Sequence, residues 1–459
     1  MQNTTARTNV HAGVRLDRVP VGRFHRRLFA LISAGLFFDI FDLSLGGVVM
    51  AAFVATGFST LALNGWFMSC TFLGATLGAF SAGWFGDRFG RRFTYQMNLA
   101  IFGVGSLVAA LSPNIYVLIG IRFIIGLGLG AEVVAGYAAF TEFVPPAARG
   151  RWCGLLSLPA QVAAGSVSIV GLLVIPWFGW RPMFVIVGLG AMVIWYLRKN
   201  MPESPRWLEQ QDRGKEADVI LRAIETESGV GPYVPGAAAL PQPAVIPLSS
   251  RRLLVPIFVG SMVLGVLNTA IFAFIGFIPT FFIQEGMTIV HSIGFTTIMT
   301  LGAPVGGLIA LLIADKVGRK GVLVGSALIA AAVSTLYPFV GNGLVLPLVG
   351  FVLVTAVYCN SVTSFALFIP EMFPTEVRLR GSGICNGIGR TVGIIMPLIV
   401  VRLYAQYQIV GVVALMAGLW VLQAIVVAVW GLETSKQSLE VIALELSSPE
   451  TATVTAPTV

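Results

Sequence analysis

Apolar runs of roughly 20 residues recur along the whole chain, and short segments between them hold nearly all of its charge. A run of that length forms an α-helix long enough to cross ~30 Å of hydrocarbon. In lipid such a helix satisfies its own backbone hydrogen bonds. Twelve runs are expected to span a membrane: 28–52, 61–85, 93–111, 115–141, 152–175, 180–198, 253–283, 290–313, 321–340, 345–369, 382–402 and 408–431. The composition fits, with 56% hydrophobic and 11% charged residues, where soluble domains carry about 25% charge. A soluble core cannot hide that much apolar surface, and disorder requires the opposite composition.

The net charge of +8 does not mark a nucleic-acid binder, because the basic residues sit in clusters between the runs. Of 29 lysines and arginines, Arg122 and Arg390 fall inside spans and Arg181 and Arg402 in loops of one side, which leaves 25 on the side that holds both termini. The positive-inside rule therefore places both termini in the cytoplasm of a plasma (inner) membrane protein. Residues 1–27 form a basic N-terminal segment with no cleaved leader expected. A six-helix bundle at 28–198, a proline- and charge-rich linker at 199–251, a second bundle at 252–431 and a polar tail at 432–459 complete the division. The linker contains an amphipathic stretch near 206–224. Cys70, Cys153, Cys359 and Cys385 lie in or beside apolar segments and suggest neither a disulfide nor a metal site.

The two halves repeat one another. GWFGDRFGRR at 83–92 matches LLIADKVGRK at 311–320, pairing Asp87 with Asp315, Gly90 with Gly318 and Arg91 with Arg319. Glu142, Pro145 and Arg149 recur as Glu371, Pro374 and Arg378 at nearly the same offset. Two motifs at one offset indicate duplicated six-helix units, an architecture of secondary transporters with a site near mid-membrane between the halves. Over residues 20–431 the chain resembles the major facilitator superfamily. GDRFGRR after the second span resembles its most specific motif, and Arg122-x-x-x-Gly126 its fourth-helix motif. Glu142 through Gly150 and the run Pro202-Glu203-Ser204-Pro205-Arg206 resemble the sugar-porter branch, which includes proton-coupled symporters of organic acids. Asp39-Ile40-Phe41-Asp42 is similar to the two-aspartate pattern of aromatic acid/proton symporters, without their usual second-position glycine. GLGLGAE at 126–132 resembles niacin and related metabolite transporters. The expected fold is an all-α membrane protein of twelve helices in two repeats, the major facilitator fold.

Asp87, Arg88, Arg91, Arg92, Glu142, Arg149, Glu203, Arg206, Asp315, Arg319, Glu371 and Arg378 gather at helix ends on the termini side. Guanidiniums and carboxylates there can pair bidentately. They are expected to form a gate that pairs across the halves and breaks when the inside opens.

Charges inside spans are costly and mark function. Asp39 and Asp42 lie three residues apart on adjoining parts of one helix face. Asp39 is ~16 Å and Asp42 ~21 Å from the inner edge, while Arg122, on an oppositely directed helix, is ~20 Å from it. They can share a level, and the resemblance likewise implies an acid on the first helix beside an arginine on the fourth. A carboxylate whose guanidinium partner comes and goes can take and release a proton, so Asp39, Asp42, Arg122 and Glu132 are the proton-coupling candidates, with Asp39 favoured as carrier. The competing reading is a permanent structural ion pair.

Arg390, ~12 Å from the inner edge, is the substrate candidate, since a membrane-embedded guanidinium facing water binds a carboxylate. Asn386 lies one turn before it, and the repeat offset relates Arg390 to Gln161 and Asn268 to Asp39. Gln161, Asn268, Asn360, Asn386 and Arg390 are therefore the candidate substrate residues. Glu132 either lines the exit path or pairs with Arg390. Tyr137, Phe272 and Tyr358 fit helix packing, and His291 an interfacial position. The reading is a secondary active transporter: proton-driven symport of a small organic anion, such as an aromatic or heteroaromatic carboxylate, by a monomer without cofactor. The alternatives are a sugar or polyol symporter and a non-transporting sensor on the same fold. No nucleophile–base set, metal cluster or nucleotide loop suggests an enzyme.

Overall fold

A computed structural model describes residues 10–231, 233, 253–341, 343–373 and 378–433. The side chains of Arg149, Asp315 and Arg378, like that of Cys153, lie outside what it describes. Twelve long helices cross the molecule. They are α1 (Arg23–Ala55), α2 (Leu61–Phe89), α3 (Arg91–Ala110), α4 (Ile115–Phe143), α5 (Ser157–Phe178), α6 (Arg181–Arg198), α7 (Leu254–Gln284), α8 (Ile289–Thr300 with Gly302–Val317), α9 (Arg319–Phe339) and α10 (Val345–Glu371), followed by α11 and α12. The last two run as one stretch, Arg378–Trp430, reversed at Gln408 by a backbone turn of φ 55 and ψ −153. Thr60, Asn114 and Thr288 start α2, α4 and α8 by accepting the N–H of the residue three positions on. Apolar side chains line the lipid-facing sides, from Leu73 and Leu77 on α2 to Val421 and Ile425 on α12. No strand occurs among the described residues.

Helices α1–α6 pack on each other and α7–α12 do likewise. The tightest crossing is α2 on α4. A Cβ at Gly74 or Gly78 would stand 2.1 Å from a carbonyl oxygen of α4, and one at Gly130 would stand 1.8 Å from that of Ala75. Only glycine permits that approach, so the glycine-rich run of α4 is a packing face against α2. Between the halves, α2 runs along α11 and α5 along α8. Helix α1 packs on residues 275–284 of α7 and makes little contact with 254–274. At that outer crossing Gly47 faces Gly276, where a Cβ would meet the Gly276 carbonyl at 2.7 Å. The two halves are thus sealed together at the face opposite the termini. Six-residue π-helical segments, Thr269–Phe274 in α7 and Thr363–Phe368 in α10, interrupt the regular ladder of the second half.

The linker forms two helices, Pro205–Gln210 and Gly214–Glu227, where one amphipathic stretch was expected. The N-terminal segment docks on them through a short helix, Ala12–Asp17. Glu209 accepts the N–H groups of Val10, His11 and Ala12 at 2.8, 2.8 and 3.1 Å. Arg15 forks onto Glu225 at 3.0 and 2.7 Å and reaches Asp218 at 2.6 Å. Arg18 joins Glu225 and Arg206 joins Asp17, each at 2.6 Å. Ala12, Leu16 and Val19 are buried with Leu28, Leu221 and Ile224 beneath this layer.

Candidate functional site

Asp42 and Arg122 meet at 2.6 Å with both side chains fully buried, 0% exposed. The guanidinium also donates to Thr71 Oγ1 at 3.1 Å and lies 4.8 Å from the Phe67 ring. First-helix acid and fourth-helix arginine share a level, as their depths imply. Thr71 gave no sign in the sequence, because a threonine in a span usually bonds its own backbone, as this one also does to Phe67.

Asp39 is equally buried, yet neither carboxyl oxygen has a hydrogen-bond partner. The charges that act on it belong to Glu132, Arg390, Asp42 and Arg198. Glu132 pairs with Arg198 at 2.5 Å, not with Arg390. Arg198 also donates from Nε to the Leu31 carbonyl at 3.1 Å and from Nη2 to that of Ile32 at 3.2 Å. Gly35 makes the room, since a Cβ there would stand 1.9 Å from Arg198 Nη2. The sequence places Arg198 among the topology-setting charges at the end of the sixth span. The available signal was Glu132 itself, a buried acid that needed a cation.

Arg390 is half-buried and donates to the Ala75 carbonyl at 3.2 Å, reaching from α11 to α2 of the other half. No carboxylate lies within 4.0 Å of it among the described residues, and Asp39 is the acid whose charge reaches it. Asn268 is buried, with its amide nitrogen approaching α11 at Gly389, next to Arg390. Gln161 is buried against Gly307 across the α5–α8 contact. Neither amide, nor that of the half-buried Asn386, hydrogen-bonds to the protein among the described residues.

Asn360 is a correction. It donates to the Leu323 carbonyl at 3.1 Å and to Ser326 at 2.9 Å, and accepts from Gln423 at 3.0 Å. Its amide ties α10 to α9 and α12 inside the second half, and no polar atom is left for a solute. Tyr358 and Phe272 border a cavity of about 30 Å3 between the halves, room for a water molecule or two. Phe272 packs on Phe72, with ring centroids 4.9 Å apart. Tyr137 is half-buried near the termini face. His291 is exposed, its ring beside Thr288 at 3.1 Å at the start of α8.

The charged helix ends carry the repeat into three dimensions. Arg91 pairs with Asp87 at 2.8 Å and with Glu142 at 3.0 Å. Its counterpart Arg319 pairs with Glu371 at 3.1 Å. Gly90 and Gly318 turn the chain at φ 98 and 91, which bulkier residues rarely adopt. Beyond each turn an acid caps the next helix. Glu203 accepts the N–H groups of Arg91 and Arg92 at 2.9 and 3.2 Å, and Glu433 those of Arg319 and Lys320 at 3.0 and 3.2 Å. Glu433 falls in the segment the sequence assigns to a polar tail, although it stands 230 residues after Glu203. Burial raises the Glu203 carboxyl above its ordinary range despite amide bonds from Ser204, Arg92 and Arg91. Arg92 donates to the Lys199 carbonyl, and Arg88 lies over the Trp84 and Phe89 rings rather than on an acid. The expected pairing across the halves involves Arg149, Asp315 and Arg378, whose side chains lie outside the described residues. The pairs described here, Arg91 with Asp87 and Glu142 and Arg319 with Glu371, lie within a half.

Two pair-bearing helix ends at one offset, and a buried acid–arginine pair between the first and fourth helices, match a known pattern. The family model described as "Sugar (and other) transporter" matches residues 40–446. The chain belongs to that family of major facilitator transporters. Transporters of this family are not enzymes and need no cofactor. Similar proteins include the inner membrane metabolite transport protein YdjE of Escherichia coli (strain K12), 36% identical over 94% of this chain and 98% of that one. The niacin transporter NiaP of Acinetobacter baylyi is 29% identical over 94% of this chain and 99% of its own. Among solved structures, a partially occluded inward-open conformation of the xylose transporter XylE from E. coli superposes with a TM-score of 0.71 at 18% identity, covering 91% of this chain and all of that one. The transporter is thus an integral membrane protein that moves a small-molecule substrate.

Proposed function

We propose that this transporter carries a small organic anion, an aromatic or heteroaromatic carboxylate, into the cell together with a proton. Both termini lie in the cytoplasm of the inner membrane, and the monomer is the working unit. The observation that carries the reading is Arg390, a half-buried guanidinium between the halves with only a backbone carbonyl to bind. A cation so placed is incompletely satisfied, and a substrate carboxylate supplies the missing bidentate partner. The free amides of Gln161, Asn268 and Asn386 provide orienting hydrogen bonds. The niacin transporter among the relatives moves a heteroaromatic carboxylate, which accords with this choice.

Proton coupling rests on Asp39. An ionised carboxyl without partners is expensive in an apolar interior, and binding a proton removes that cost. Asp39 feels the charge of Arg390, so an anion on Arg390 and a proton on Asp39 assist each other. The seal between α1 and residues 275–284 of α7, with little contact along 254–274, supports reading this as the arrangement closed at the face opposite the termini. Alternating access would reverse that packing, and the gate pairs would then exchange partners.

A sugar or polyol symporter is the second reading. The xylose transporter fold and an arabinose-proton symporter of Bacillus subtilis at 28% identity favour it. Uptake of labelled nicotinate, benzoate, xylose and arabinose into proteoliposomes under an inward proton gradient separates the two. Carboxylate uptake that disappears in Arg390→Gln is expected. Sugar uptake that survives in Arg390→Gln would establish the second reading instead.

A further inference from the structure

The transport reading uses Asp39 as proton carrier but leaves the proton without a way out. The groups beneath Asp39 supply one. Glu132 is fully buried, with Oε1 on Arg198 and Oε2 without a partner. Arg198 is held on α1 by two of its nitrogens, through the Leu31 and Ile32 carbonyls, so that Nη1 is the arm extended to Glu132. Its guanidinium fills the notch at Gly35, one helical turn below Asp39, or ~6 Å along the α1 axis. Two acids with bare oxygens therefore flank a cation anchored between them and the termini face. Elsewhere around the pair stand Asp42 on α1, Arg122 on α4, Arg390 on α11, and Tyr95 on α3, whose ring lies 5.9 Å from the Arg198 guanidinium. Asp42 and Arg122 form their own ion pair at 2.6 Å, each keeping one buried atom without a partner, whereas Asp39 has no ion pair among the described residues and Glu132 shares Arg198.

We propose that Glu132 is the inner proton station of the transporter and that Arg198 is its positioning residue, the counter-ion that alternates between Glu132 and Asp39. In the handover the Oδ–H bond of Asp39 breaks and an Oε2–H bond forms on Glu132, directly or through one water. The negative charge moves from Glu132 to Asp39, and the free arm of Arg198 follows it. Glu132 then releases the proton at the termini face through the first half, away from the solute path beside Arg390. This proposal rests on proton coupling through Asp39 and extends it.

The test is infrared difference spectroscopy of the full-length protein in liposomes, comparing mildly acidic with mildly alkaline buffer in the carboxyl C=O region. Two protonating carboxyl bands are expected, one lost in Asp39→Asn and the other in Glu132→Gln. A Glu132→Gln spectrum identical to that of the wild type overturns the proposal. Arg198→Lys keeps the charge but loses the three-point hold, and should move the titration midpoint of the Glu132 band. A midpoint that does not move removes Arg198 from the relay, and so does a moved midpoint with proton-driven accumulation unchanged, since a static counter-ion would shift the band without affecting coupling. Proton-driven accumulation of labelled nicotinate should be lost in Glu132→Gln, and wild-type accumulation there also overturns the proposal. If the wild type moves no carboxylate, the substrate reading fails while the infrared result still decides the relay.

Discussion

Replacing Asp42 by asparagine should weaken the folded transporter more than any surface change of equal size. The substitution leaves the Arg122 guanidinium fully buried, with Thr71 at 3.1 Å and the Phe67 face as its remaining partners. Removing one member of a buried ion pair costs ~3–5 kcal/mol, because the other charge stays desolvated without compensation. That is roughly a hundred- to several-thousand-fold in the unfolding equilibrium, a large share of a marginal stability. The cost should largely vanish in the double variant Asp42→Leu/Arg122→Met, where both charges go and apolar volume replaces them. Unfolding in detergent micelles, followed by tryptophan fluorescence, measures Asp42→Asn and the four corners of the cycle: wild type, Asp42→Leu, Arg122→Met and the double variant. An Asp42→Asn protein as stable as the wild type would refute the reasoning. So would a double variant as unstable as the sum of its singles, since additivity means that the two groups do not interact.

Gly35→Ala places a methyl 1.9 Å from Arg198 Nη2, and it should destabilise by ~1–3 kcal/mol in thermal unfolding and change transport as Arg198→Gln does. Glu203→Gln and Glu433→Gln should each cost about 1 kcal/mol in thermal unfolding, and their costs should add, because each acid caps a different helix in a different half. The N-terminal strap should be pH-sensitive. Hydrogen bonds from Arg15, then Arg222, hold the Asp218 carboxyl below its ordinary range. Burial pushes Glu225 up, but bonds from Arg15 and Arg18 outweigh it and lower it as well. Groups lowered on folding stabilise above their unfolded values, and that contribution is lost as pH falls through the folded ones. Hydrogen exchange of residues 10–19 should therefore accelerate below the ordinary carboxylate range and not above it, and Arg15→Ala should show fast exchange at neutral pH.

The twelve helices were legible because the bilayer imposes one length and one composition on every span, from Arg23–Ala55 to the last stretch ending at Trp430. The repeat was legible because Asp87, Arg91 and Glu142 recur at one offset, and the structure gives Arg91–Glu142 and Arg319–Glu371 the same form. Depth placed both Asp39 and Asp42 near the level of Arg122 without choosing between them, and the ion pair with Asp42 emerges only from the structure. What escaped was partner choice over long sequence separations. Arg15 and Glu225 stand 210 residues apart with no local pattern to join them. Arg198 resembled every other basic residue at the end of a span until Glu132 and the Gly35 notch were seen together. Asn360 shows the converse error. An amide in a span needs a partner, and Ser326, Leu323 and Gln423 supply it from neighbouring helices rather than a solute. The charged helix ends were legible by residue type, but the acid that each arginine takes was not, since the sequence does not specify a conformation.

The coupling of proton to cargo is tested most directly by recording both fluxes at once in proteoliposomes, with labelled carboxylate on a filter and a pH-sensitive dye in the lumen. The account predicts lumenal acidification in step with nicotinate or benzoate entry for the wild type, and entry without acidification for Asp39→Asn. Carboxylate entry with no proton movement in the wild type, or acidification unchanged in both Asp39→Asn and Asp42→Asn, would contradict it.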